Sequence, residues 1–196
     1  MTTITFITGA NKGLGYETAR RLAELGHTVI LGARDKQRGE AAAERLGVRF
    51  VPIDVTDDES VAAAAADVEA HEGRIDRLIN NAGITGPRMP AGDLTGADAT
   101  LVFNTNAISI VRVTHAFLPL LRRSADPAVI NVTSGLGSQA LTHDPGRTES
   151  AITAPLYCAA KAAVTMLTTQ YAKALPDIRF NAADPRSEER RVGKEC

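Results

Sequence analysis

Three glycines set between an apolar run and an amphipathic one constrain this chain more than any other feature. Thr8-Gly9-Ala10-Asn11-Lys12-Gly13-Leu14-Gly15 follows the run Ile4–Ile7 and precedes a helical pattern from Tyr16 to Leu25. The reading is strand, tight turn, helix. Glycine permits the turn and lets backbone approach a ligand closely, because no Cβ intervenes. The first amides of such a helix face an anion, and the helix dipole favours it. A dinucleotide pyrophosphate suits that place. The spacing is G-x3-G-x-G rather than G-x-G-x-x-G, so the glycines alone leave an ordinary turn open as the alternative.

Apolar runs and helical patterns alternate along the rest of the chain. Further strands are expected at Thr28–Ala33, Val48–Asp54, Arg77–Asn80, Ala128–Thr133 and Ile178–Ala182. Helices are expected from Asp35, as cap, to Leu46, from Ser60 to about His71, over a long stretch from Asp98 to Arg123, and over Leu156–Leu175. Gly26 and Gly47 are helix stops. This alternation predicts a single α/β domain, a doubly wound parallel sheet of Rossmann type covered on both faces. Its ligands belong at the carboxyl ends of the strands, near the reversal of strand order.

Composition removes several classes. The 196 residues carry a net charge of −1, so no basic surface argues for nucleic acid or an anionic membrane. No apolar run reaches the ~18–20 residues of a membrane span, and the amino-terminal pattern is not that of a signal peptide. The two cysteines and four scattered histidines suggest neither a disulfide framework nor a metal site. A soluble cytoplasmic protein is expected.

Two places carry chemistry. After the second strand, Arg34 stands where a cation suits the 2′-phosphate of NADP, and Lys12 lies inside the glycine turn. Two cations near one phosphate favour NADP(H) over NAD; the competing reading makes Asp35 a ribose acid, although it is better explained as a helix cap. Farther on, Tyr157-Cys158-Ala159-Ala160-Lys161 places a phenol and an ammonium on one helical face. A free phenol has a pKa near ~10, and a neighbouring cation favours its ionised form. The pair can then exchange a proton with an alcohol or carbonyl.

Taken together, TGANKGLG, the strand-end Asp54-Val55, Asn80-Asn81-Ala82-Gly83, Asn106 in the long helix, the strand-end Ser134 and Tyr157-x-x-x-Lys161 resemble, in order, the motifs of the short-chain dehydrogenase/reductase family. Asn11-Lys12-Gly13 and Ala33-Arg34-Asp35 look most like its compact NADPH-dependent carbonyl reductases. The resemblance implies a cofactor site from Gly9, Asn11, Lys12, Gly13, Leu14, Gly15, Arg34, Asp54, Val55, Asn81, Ala82 and Gly83, with Tyr157 and Lys161. Asp54-Val55 would contact the adenine and Asn81 the ribose. It implies a catalytic set of Asn106, Ser134, Tyr157 and Lys161, with Asn104 and Thr133 as competing neighbours. The reaction implied is reversible hydride transfer between NADPH and a carbonyl or alcohol. A catalytically idle fragment, or a cofactor-binding sensor on the same fold, is the alternative. Homo-oligomers are common in the family.

Departures from the family pattern fall in two places. Ser134 and Tyr157 are unusually far apart, and the extra residues, around Thr142–Glu149, read as a polar loop rimming the substrate. From Arg186 to Cys196 apolar periodicity disappears. That string matches the translation of a sequencing adapter, so native sequence is expected for 1–185, a non-native tail for 186–196, and a domain lacking its seventh strand.

Overall fold

β-Branched and aromatic residues crowd the first run, Ile4–Thr8, and every residue of it is buried. It becomes the central strand β1 of a six-stranded parallel sheet in a computed structural model that describes residues 2–185. The other strands are β2 (Thr28–Ala33), β3 (Arg49–Pro52), β4 (Arg77–Asn80), β5 (Ala128–Val132) and β6 (Arg179–Ala183). Their order is β3-β2-β1-β4-β5-β6, so the winding direction reverses between β1 and β4. Loops leaving the carboxyl ends of these two strands diverge there and open a crevice. The tail expected at 186–196 lies outside the described residues.

Helices α1 (Gly13–Glu24) and α2 (Lys36–Leu46) pack Ala19, Ala42 and Ala43 on one sheet face, against Ile7, Val29, Leu31 and Ile79. Small residues there bring helix and sheet close together. The opposite face holds α3 (Asp58–Glu72), α5 (Ser109–Leu121) and α7 (Pro155–Ala174) over Phe6, Ile30, Val51, Leu78 and Val129. Phe6 and Phe117 stack tilted with ring centroids 4.6 Å apart, a geometry that adds to simple area burial.

Several element ends differ from the expectation, each for a local reason. β3 stops at Pro52 because Asp54 starts a turn: its carboxylate accepts from the Thr56 amide at 2.9 Å and hydroxyl at 2.6 Å. α3 begins at Asp58, capped by Asp57, while the Ser60 hydroxyl accepts from the Asp54 amide at 2.8 Å instead. The long helix expected from Asp98 to Arg123 is two helices. α4 (Gly96–Phe103), opened by a Thr95–Asp98 capping box, runs into a π-helical turn, Asn104–Ile108, before α5. The polar loop after Ser134 contains α6 (Gln139–His143) and a 3₁₀ turn, Thr148–Ala151.

Candidate active site

The glycine turn and the β4 end are stitched together by Thr8 and Asn81. The Thr8 hydroxyl accepts from the amides of Asn81 at 3.0 Å and Ala82 at 3.1 Å. The Asn81 side-chain amide donates back to the carbonyls of Thr8 at 2.9 Å and Gly9 at 3.1 Å. This closeness requires glycine at position 9: its φ is +66°, and a Cβ would sit 2.9 Å from the Ala82 Cα. At Gly15 a Cβ would meet the Asn81 amide nitrogen at 2.4 Å.

The turn, the β2 and β3 ends and the Asn81–Gly83 segment enclose a cleft of about 610 Å³. Its walls include Gly9, Asn11, Lys12, Gly13, Leu14, Gly15, Arg34, Asp54, Val55, Asn81, Ala82 and Gly83. Every residue assigned from the sequence to the adenosine and phosphate part of a cofactor therefore meets in one place. α2, α3 and α4 each have a side-chain cap, from Asp35, Asp57 and Thr95. α1, whose amino end faces this cleft, has none. Uncapped amides at a helix start suit an anion.

Asp35 is the α2 cap, accepting from the Arg38 amide at 3.0 Å. Arg34 stands 3.7 Å from Asp54 and its side chain is mostly exposed. Burial raises the Asp54 carboxyl, but the Thr56 bonds and Arg34 outweigh it and hold it below its ordinary value. Arg38, in the first turn of α2, adds a third cation to the cleft, a residue that sequence reasoning missed although it lies only four positions after Arg34.

The cleft continues towards Lys161. A methyl group at Gly83 would meet the Asn106 carbonyl oxygen at 3.1 Å and the Lys161 Nζ at 3.8 Å. Asn106 is buried in the π-helical turn and grips the backbone of Ile84: its Oδ1 accepts from the Ile84 amide at 2.8 Å and its Nδ2 donates to the Ile84 carbonyl at 2.8 Å. Asn106 is therefore no solvated helix position. Its competitor Asn104 pairs with Arg112 at 3.3 Å.

Lys161 is 5% exposed and donates to the Val132 carbonyl at 2.7 Å. Burial lowers its ammonium to about 8. Its Nζ lies 5.7 Å from the centroid of the Tyr157 ring. The phenol is not depressed as the neighbouring cation alone would make it. Burial raises Tyr157 above its ordinary value, and contact with the Ser134 hydroxyl only partly opposes that rise.

Ser134 and Tyr157 share a cavity of about 570 Å³ with apolar walls from Pro87, Met89, Leu94, Leu136 and Ile152. Thr133, the competing hydroxyl, is buried and donates to the Ala183 carbonyl at 3.2 Å. Cys158 is half-buried and borders a neighbouring cavity of about 360 Å³. His143 is exposed, with Nδ1 2.8 Å from the Gln139 carbonyl.

A buried polar chain behind the site was also missed. The Asn80 Nδ2 donates to the Asn131 Oδ1 at 2.9 Å, and the Asn131 Nδ2 donates to the Thr168 hydroxyl at 2.9 Å. It ties β4 and β5 to the helix carrying Tyr157 and Lys161. The available signal was an asparagine following the apolar pair Leu78-Ile79 and another inside the apolar β5, which the register places side by side.

A parallel sheet with a glycine-rich crevice at its reversal point, next to a hydroxyl-lined cavity, defines a dinucleotide-dependent oxidoreductase class, and the comparisons agree. The short chain dehydrogenase family profile matches residues 3–187. The short-chain dehydrogenase anuI of Penicillium roqueforti is 38% identical over 175 residues, covering 84% of this chain and 69% of that protein. A short-chain dehydrogenase/reductase of Aspergillus fumigatus is 38% identical over 204 residues, covering 93% and 77%. Among solved structures, the NADPH-bound carbonyl reductase from chicken fatty liver superposes with a TM-score of 0.83 at 30% identity, covering 94% of this chain and 79% of that one. The chain belongs to the short-chain dehydrogenase/reductase family. No helix among the described residues is long and apolar enough to cross a membrane.

Proposed function

We propose that the protein is an NADP(H)-dependent oxidoreductase that interconverts a small carbonyl compound and its alcohol. One observation carries the reading: Ser134 and Tyr157 line one cavity, while buried Lys161 lies close to Gly83, a wall of the glycine-lined cleft. The residues fit the cofactor. The glycine turn and the α1 amides would hold its pyrophosphate, Lys12 and Arg34 its 2′-phosphate, and Asp54-Val55 its adenine. Asn81 would lie against its ribose. When bound, the cofactor supplies the hydride to the carbonyl carbon, or removes it from the alcohol.

The protein's own part is proton transfer and orientation. The Ser134 hydroxyl holds the substrate oxygen beside the phenol. Tyr157 donates its proton to that oxygen in reduction and takes it back in oxidation. Burial keeps the Tyr157 phenol protonated at neutral pH, so the proton is in place for reduction, but it also makes that proton harder to release. Lys161, held as ammonium by Val132 and close to the ring, favours the ionised phenol when oxidation requires it. Asn106 fixes the Gly83–Ile84 backbone against which the substrate and Lys161 are set. The apolar walls of the cavity favour a carbonyl compound with a largely hydrocarbon body.

The test is consumption of NADPH over a panel of ketones, aldehydes and quinones, with Tyr157→Phe as the control. The variant is expected to lose turnover by a factor of about 10²–10⁴, the usual contribution of a general acid, while NADPH binds within about twofold of the unaltered protein. Undiminished turnover in that variant would remove Tyr157 from the mechanism. NADPH binding with no turnover on any carbonyl would favour the sensor reading.

A further inference from the structure

Arg112, on α5, takes no part in the chemistry proposed above, yet it is nearly enclosed and touches three segments around the cofactor cleft. Its side chain is 14% exposed. The Nε donates to the Asp58 carboxylate at 2.7 Å, and one terminal nitrogen donates to the Val55 carbonyl at 2.8 Å and to the Asn104 Oδ1 at 3.3 Å. Val55 is a wall of the cleft. Asp58 opens α3 directly beyond Thr56-Asp57, and Thr56 is another wall. Asn104 begins the π-helical turn, whose next residue, Thr105, also lines the cleft.

We propose that Arg112 is a positioning residue for the adenosine end of the cofactor, setting the Val55–Thr56 wall against the Asn104–Thr105 wall; this rests on the NADP(H) reading. A planar guanidinium can hold three acceptors in fixed directions, which an ammonium cannot. Without it, the Val55 carbonyl loses a charged donor and the two walls lose their common strut. Asn106 keeps both of its bonds to Ile84, so the reacting end is spared. The role therefore separates from a general contribution to folding. Arg49 supplies the comparison: it is also partly buried and multiply paired, to Asp67 at 2.5 Å and to Glu72 at 2.6 Å, but it does not border the cleft.

The experiment uses the full-length protein with Arg112→Met, Arg112→Lys and Arg49→Met. It reads the thermal midpoint, the Kd of 2′,5′-ADP, the KM for NADPH and kcat. Arg112→Met is expected to raise the Kd and the KM about tenfold, the scale of one lost charged hydrogen bond, with kcat changed less than about twofold. Arg112→Lys, which keeps charge and stem and spares the fold, is expected to give a smaller rise in the same two constants. Arg49→Met is expected to lower the midpoint and leave both constants alone. Equal effects from Arg49 and Arg112, a loss confined to kcat, or an unmoved Kd in Arg112→Lys would each overturn the positioning role. If the unaltered protein fails to bind 2′,5′-ADP, the cofactor reading itself falls, and the proposal with it.

Discussion

Raising the pH from 7 to 10.5 should strengthen the fold at one residue, Lys161. It is 5% exposed, and burial brings its ammonium down to about 8 from an ordinary 10.5. Below about pH 8 the lysine is charged in both the folded and the unfolded chain, and the folded state bears the whole cost of burying it. Between about 8 and 10.5 the unfolded chain holds a proton that the folded one has released, so stability rises with pH. Above that range both forms are neutral and the cost is gone. At ~1.4 kcal/mol per pH unit, the relief comes to roughly 3 kcal/mol. Denaturant unfolding of the protein and of Lys161→Met at intervals across this range reads the effect. Subtracting the variant, whose side chain fills similar space and does not titrate, removes contributions common to both. The difference in unfolding free energy is expected to move by roughly 3 kcal/mol in favour of the unaltered protein. A difference that stays flat from pH 7 to 10.5 would refute the assignment of a costly buried ammonium. Despite that cost the lysine still titrates above neutral pH, so it stands as a cation beside Tyr157 at pH 7.

Other expectations concern the turn and the walls of the cleft. Asn106→Ala removes both partners of the part-buried Ile84 amide and carbonyl, and a loss of about 1–2 kcal/mol in denaturant stability is expected, with reduced turnover; an unchanged unfolding midpoint would contradict the clamp. Gly9→Ala forces a side chain into a left-handed backbone 2.9 Å from the Ala82 Cα; it should cost about 1–3 kcal/mol and weaken NADPH binding in a direct titration. Arg34→Ala should reduce the preference for NADPH over NADH, measured as a ratio of kcat/KM, by about tenfold, and an unaltered ratio would return the 2′-phosphate to Lys12 and Arg38.

Local chemistry made much of this protein readable from its sequence. Alternating apolar and amphipathic runs gave six strands in their places, because the periods of strand and helix are imposed residue by residue. The glycine turn, Asn81-Ala82-Gly83 and Tyr157-x-x-x-Lys161 were visible because each packs its chemistry into a few adjacent positions. Sequence spacing could not say that Asn106 would be buried in a π-helical turn and gripped by Ile84, since that depends on a segment 22 residues away. The sequence already preferred Ser134 to Thr133, but it could not show that β6 occupies the Thr133 hydroxyl through the Ala183 carbonyl. The direction of the Tyr157 shift was likewise misread from the neighbouring lysine, because burial, a property of the whole fold, outweighs a charge one helical turn away. Periodicity and turn chemistry are carried along the chain, whereas burial, partner choice and the reach of Arg112 across α3 and α5 exist only once distant segments pack together.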